Sequence, residues 1–297
     1  TVMACYNRVQ GEYGTQSLYL LTEKLKNDWG FKGIVISDWF AVIDRVEAMK
    51  AGMHIEMPKV SPINNAIAVE AVKNGSLDIE VVDNLVREIL TIVFKAKSVE
   101  DRTTKLNIEK DHAFARKVAS EAATLLKNER QLLPISNQKY KKVAIIGEFA
   151  VNPRYQGNGS SQVKPTKLDN VLDIIKQEYG KNIEISYAQG YNLADDNDVS
   201  LIDEAQEVAS KADVVLVFAG LPLQYESEGI DRTHINMPPS HNKLISEISA
   251  VQKNTVVVLT NGSAVTMPWI DNVAGVLETW LGGQAGAPHA DRRRFQH

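Results

Sequence analysis

Gly33-Ile34-Val35-Ile36-Ser37-Asp38-Trp39 is a short apolar run that ends on a carboxylate and an indole. A β-branched run of this length reads as a buried strand. Upstream, Val2 to Tyr6 has the same texture, and between the two runs Leu18, Leu21 and Leu25 recur at helical spacing over Ser17 to Asp28. Strand, helix, strand is the unit of a parallel sheet, and it puts Asp38 at a strand's carboxyl end, where α/β proteins collect their sites. Downstream the pattern predicts a helix over Ala41 to Ala51, a strand over His54 to Met57 closed by Pro58, and helices over Ile63 to Asn74 and Ile79 to Lys97. Gly75 serves as a helix stop, and Ser76 or Asp78 as the next cap. These are about three strand-helix units in the order expected at the end of a (β/α)8 barrel, and residues 1–97 are assigned to it.

From Ser98 the chain turns polar and aperiodic, and residues 98–112 are assigned as a linker. A helical stripe of His112, Ala115, Val118, Ala119, Ala122 and Ala123 follows, closed by Leu132-Leu133-Pro134-Ile135. Strands are expected at Lys142 to Ile146, Ile183 to Tyr187, Val214 to Ala219, Thr255 to Leu259 and Gly275 to Trp280. Helices fall between them at Leu168 to Tyr179, Leu201 to Lys211 and Ser240 to Val251. The expected fold of residues 113–286 is an α/β/α sandwich on a mostly parallel sheet. Residues 287–297, with three consecutive arginines and no apolar period, read as an aberrant tail.

The 297 residues carry a formal net charge of −4 and no basic run before that tail, which argues against nucleic acid as a partner. The apolar runs are strand-sized, short of the roughly 20 residues that span a bilayer, so no membrane partner is expected. The single cysteine, Cys5, has no internal disulfide partner and reads as a buried structural thiol. The six histidines show no metal-ligand spacing, and neither a metal nor a cofactor is expected. Val143-Ala144-Ile145-Ile146-Gly147 and Gly157-Asn158-Gly159-Ser160-Ser161 are too far apart for a dinucleotide fingerprint. Oligomeric state is left open. The cytoplasm is the expected compartment, since nothing near the start reads as a secretory signal.

A second acidic motif, Glu226-Ser227-Glu228-Gly229-Ile230-Asp231-Arg232, follows the strand that begins at Val214. Two carboxylates presented at strand ends, one backed by an aromatic, are the equipment for cleaving a glycosidic bond. Plainer readings exist: Asp38 as a helix N-cap, the Glu226–Arg232 stretch as a solvated charged turn, and Tyr6 and Trp39 as core aromatics.

Several motifs in order carry a family resemblance. Val2 to Glu12, Trp29 to Trp39, Ala51-Gly52-Met53-His54-Ile55-Glu56-Met57-Pro58, Leu125-Leu126-Lys127-Asn128, Tyr155 to Ser161, Glu226 to Arg232 and Trp280-Leu281-Gly282-Gly283-Gln284 resemble glycoside hydrolase family 3 β-glucosidases. The resemblance implies a retaining hydrolase of terminal β-glucosyl residues, with a β-linked glucoside or short oligosaccharide as substrate. It implies Asp38 as nucleophile and Glu228 as acid/base, with Glu226 the competitor for the second role. Trp39, Tyr6 and Met3 are the implied substrate-binding residues. Such a mechanism wants the nucleophile ionised among hydrogen-bond donors, and the acid desolvated or near a negative charge, roughly 5 to 5.5 Å away.

The chain departs from the family at His54, where Asp is usual, which puts the local hydrogen-bond network in doubt. The barrel strands before Val2, with the Asp, Arg and Lys-His pair that grip glucose, are unassigned, so truncation and low activity of the chain alone are expected. β-Xylosides, and a noncatalytic module that binds sugar or a partner chain, remain as alternatives.

Overall fold

The structure is a computed structural model that describes residues 1–58, 62–99, 105–194 and 199–286. The fold is α/β, in two compact units, Thr1–Thr104 and Lys105–His297. The stretch read as a tail, 287–297, and part of the assigned linker lie outside the described residues.

In the first unit a three-stranded parallel sheet has the order β1 (Val2–Ala4), β4 (Val35–Trp39), β5 (Ile55–Met57). Between β1 and β4 lie a small antiparallel hairpin, β2 (Arg8–Val9) and β3 (Glu12–Tyr13), and a wide-wound helix, Tyr19–Asp28, whose end is closed by the Trp29 N–H on Lys24 O. Leu21 and Leu25 of that helix pack with Ala4, Val35, Ala48, Ala51 and Met53 into one core. The register pairs Met3 with Ile36 and Ala4 with Ser37. Because side chains alternate across a strand, Met3, Ile36 and Asp38 share the face turned away from this core.

Two expectations here are corrected. The first strand ends at Ala4, so Tyr6 stands beyond it and Cys5 is exposed rather than buried; the chain has already turned into the hairpin, where alternation no longer hides every second side chain. Helix α1 runs over Arg45–Ala51 rather than from Ala41, because Asp44 accepts from the Val46 and Glu47 N–H groups and fixes the start there. Helices α2 (Pro62–Lys73) and α3 (Ile79–Lys97) follow, the latter capped by Asp78.

His54 is buried beneath β4 and settles its own tautomer. Nδ1 accepts from the Val35 N–H at 3.0 Å, so the ring proton sits on Nε2 and is donated to Glu88 Oε2 at 2.5 Å. Glu88 on α3 also pairs with Lys26. Burial pulls the His54 pKa down against the opposing pull of Glu88, which keeps the ring neutral.

The second unit has a six-stranded sheet in the order β6-β11-β10-β9-β7-β8. These are β6 (Thr124–Asn128), β7 (Lys142–Ile146), β8 (Glu184–Ala188), β9 (Val214–Gly220), β10 (Thr255–Thr260) and β11 (Gly275–Glu278). All pairs are parallel except β11 with β6. Helices α4 (Ile108–Ala122), α5 (Val171–Tyr179), α6 (Val199–Ser210) and α7 (Pro239–Val251) accompany it. β7, β9 and β10 read as nearly unbroken apolar runs because helices cover both faces of a parallel sheet.

Helix α4 begins at Ile108, inside the stretch read as linker, where Asn107 accepts from the Lys110 N–H. Its inward side is more polar than the expected stripe. Val118 is exposed, whereas buried His112 and half-buried Arg116 both bond Asp169, at 2.9 and 2.7 Å.

Gly220 closes β9 at φ +152, and a Cβ there would lie 2.0 Å from the Thr260 carbonyl oxygen of β10. Neither backbone has room to yield. Gly220→Ala should therefore cost on the order of 3 kcal/mol, read as a lowered denaturant midpoint; an unchanged midpoint would refute this close approach.

Candidate active site

Asp38 is the fourth residue of β4, at its carboxyl end. The N-cap reading does not hold for it, since Asp44 caps α1. Its Oδ1 accepts from the neighbouring Trp39 N–H at 2.7 Å. Its backbone is fixed from two sides. Ser37 Oγ donates to the Asp38 carbonyl and accepts from the Met57 N–H, both at 2.8 Å, while the Phe40 N–H bonds Met57 O. Strands β4 and β5 are thereby pinned together where the acid emerges. Met3, Tyr6 and Trp39 are 65%, 51% and 52% exposed, so none is a core aromatic or core methionine.

In the second unit, the loop after β9 holds two glutamates in different states. Glu226 is saturated: Oε2 accepts from the Gly262 N–H at 2.9 Å and Arg154 Nη1 at 2.5 Å, and Oε1 accepts from the Ser263 hydroxyl. Burial alone would raise its pKa, but those donors outweigh it and the group is held below the ordinary carboxylate range. Arg154, itself 6% exposed, also reaches the Leu221 and Glu226 carbonyls. Six residues on, Arg232 bonds Ser263 Oγ at 2.7 Å and Ala264 O at 2.8 Å. Both ends of the Glu226–Arg232 loop are thus clamped to the segment after β10.

Glu228 sits at the exposed apex between those clamps, in a turn closed by the Ile230 N–H on Ser227 O with Gly229 at φ +78. A second loop braces it. Its N–H bonds Asn158 O at 3.3 Å, Asn158 Nδ2 bonds Ser227 Oγ at 3.1 Å, and the Ser160 N–H donates to Glu228 Oε2 at 2.5 Å. Gly159 is at φ +101, and a Cβ there would meet that same oxygen at 2.5 Å. The Ser160 contact holds the Glu228 pKa below its usual value, opposite to the raised acid that the chemistry asks of a proton donor.

Asp38 belongs to the first unit and Glu228 to the second. Among the described residues no group of three His, Cys, Asp or Glu side chains is arranged to hold a metal ion, and no helix is long and apolar enough to cross a membrane.

Residues 1–92 match the glycosyl hydrolase family 3 N terminal domain and residues 123–291 the C-terminal domain. The chain belongs to glycosyl hydrolase family 3. It is 47% identical over 285 residues to the thermostable beta-glucosidase B of Acetivibrio thermocellus, covering 96% of this chain and 38% of the relative. It is 39% identical to an exo-alpha-(1->6)-L-arabinopyranosidase of Bifidobacterium breve, over 97% of this chain and 39% of that protein. The crystal structure of a family 3 beta-glucosidase from Bifidobacterium adolescentis superposes with a TM-score of 0.87 at 40% identity, over 96% of this chain and 42% of that one. The chain spans about two-fifths of the length of these relatives.

Three residues of this family 3 chain that shape these surroundings escaped the sequence reading: Arg154, Glu88 and Glu278. Each acts across a long sequence separation, so only a strand end, for Glu278, hinted at a role. Glu278 closes β11, 4% exposed, accepting from the Trp280 N–H at 2.8 Å and Asn261 Nδ2 at 2.9 Å. Burial, with a smaller push from Glu226, outweighs those donors and lifts its pKa to about 7.

A carboxyl with a raised folded pKa binds its proton more tightly in the fold than in the unfolded chain. That stabilisation is complete below about pH 4.5 and is lost as pH rises through about 7. Between pH 5 and 8 the stability advantage of the parent over Glu278→Gln should shrink, by on the order of 3 kcal/mol. Denaturant melts of both proteins across that range check it, and parallel pH profiles would rule Glu278 out.

Proposed function

We propose that this chain carries both catalytic carboxylates of a retaining β-glycosidase acting on β-glucosides, with Asp38 as nucleophile and Glu228 as acid/base. The observation that supports this most is the division of labour in Glu226-Ser227-Glu228. Glu226 is consumed by Arg154, Gly262 and Ser263, which leaves Glu228 as the glutamate of this stretch that is presented to solvent. Freed from any capping duty, Asp38 stands at the carboxyl end of a barrel-type strand, in keeping with attack on an anomeric carbon.

In the double displacement, Asp38 forms the glycosyl ester while Glu228 protonates the departing oxygen; Glu228 then takes a proton from the water that hydrolyses the ester. Proton donation requires Glu228 to be protonated, so the Ser160 bond has to be given up or outweighed when substrate covers the loop. The exposed indole of Trp39 offers a flat face to the C–H side of a pyranose. The arabinopyranosidase relative favours a second reading, a sugar without the exocyclic hydroxymethyl group; β-xylosides also meet that description.

The test joins this chain to the part of the Acetivibrio relative that precedes the matched region. 4-Nitrophenyl β-D-glucoside, β-D-xyloside and α-L-arabinopyranoside are then compared. Asp38→Asn should lower kcat on the order of 10⁴-fold. Glu228→Ala should lower it by about 10²–10⁴-fold, with recovery by azide, which attacks the glycosyl ester without a general base. Full activity in either variant sinks the assignment.

A further inference from the structure

The second unit contains a cleft that none of the catalytic side chains enters. It has a volume of about 520 Å³, within the range of small-ligand sites. Its position is set by topology. β7 is followed by β8 on one side of it and then by β9 on the other, so the chain reverses direction between β7 and β9. Open α/β sheets bind ligands in the crevice outside the carboxyl ends of such a strand pair. Asn152, Pro153 and Arg154, downstream of β7, and Pro222, Leu223 and Gln224, which follow β9, line this one.

The lining selects the ligand's chemistry. Arg154 is the one ionic side chain among the lining residues, and its charge is already met by Glu226 at 2.5 Å. β7 is followed by a single short turn, Glu148–Ala150, instead of a helix that opens toward a phosphate. An anionic ligand therefore finds no counter-charge. Neutral amides supply its hydrogen-bonding groups instead. Gln224 donates one Nε2 hydrogen to Leu193 O, Gln162 one Nε2 hydrogen to Asn158 Oδ1, and Asn152 one Nδ2 hydrogen to Glu148. The three amide oxygens have no partner among the described residues. The buried Nε–H of Arg154 likewise has none there, and is a donor. Tyr155 and Leu223 supply apolar surface.

We propose that this cleft is a second, noncatalytic carbohydrate site, which takes a neutral pyranoside through hydroxyls donated to the amide oxygens and a C–H face laid on Tyr155 and Leu223. It is independent of the catalytic reading.

The experiment uses the 297-residue chain with Asp38→Asn and Glu228→Gln, so that no probe is consumed. Methyl β-D-glucoside and cellotriose are titrated by calorimetry and saturation-transfer NMR. A dissociation constant of about 0.1–10 mM is expected. Leu223→Arg, at an exposed position, and Gln224→Ala should each weaken binding at least tenfold while the circular dichroism spectrum and Tm hold. No binding would overturn the proposal. Binding indifferent to the two cleft variants, or displaced by inorganic phosphate, would overturn it too. Because the catalytic pair is already disabled, failure of the nucleophile and acid assignments would leave this result untouched.

Discussion

The arrangement of the second unit around its exposed acid depends on one ion pair, Arg154 with Glu226. A buried guanidinium without a carboxylate, or the reverse, would be a large penalty, and the pair is tolerable because almost every polar atom in it has a further partner. The pair ties three strand ends together: Arg154 from beyond β7, Glu226 from beyond β9, and Gly262 and Ser263 from beyond β10. With the loop anchored there and again at Arg232, the short span between the anchors has little freedom, and Glu228 is delivered at a fixed place. Rigid elements that carry a reactive group on a short loop give the positional precision that catalysis needs.

The first unit solves the same problem with less. Asp38 needs no ion pair, because the sheet itself positions it: parallel neighbours fix β4, and Ser37 staples β4 to β5 at the level of the acid. The local geometry also explains the aromatic beside it. Trp39 ends the strand, so its side chain is no longer bound by the alternation that buries Val35 and Ser37. Glu228 is exposed and Asp38 half-buried, whereas Ser37 and Arg154, which anchor their surroundings, are buried.

Much of this was legible in the chain, and the failures have physical reasons. Uninterrupted apolar runs gave β7, β9 and β10 within a residue or so, because burial on both faces leaves no room for ambiguity. β6 was missed as a strand: Thr124–Asn128 is an antiparallel edge whose first three side chains are exposed, so its pattern resembles a loop. The Arg8–Tyr13 hairpin was missed because its strands are two residues long, although Gln10-Gly11, both at positive φ, was a readable turn. The start of α1 was misplaced by reading apolar residues from Ala41, when the stronger signal was Asp44 ahead of Glu47. Glu226 and Glu228 were not separable by sequence, since their difference lies in an arginine 72 positions away.

The neutral imidazole under β4 has a consequence for what can stand at position 54. Its Nδ1 serves a strand amide and its Nε2–H serves Glu88, so the ring is a connector with one acceptor and one donor. An aspartate there could accept from the same amide but would meet Glu88 with like charge. A carboxylate at position 54 would therefore call for a neutral or basic group at position 88.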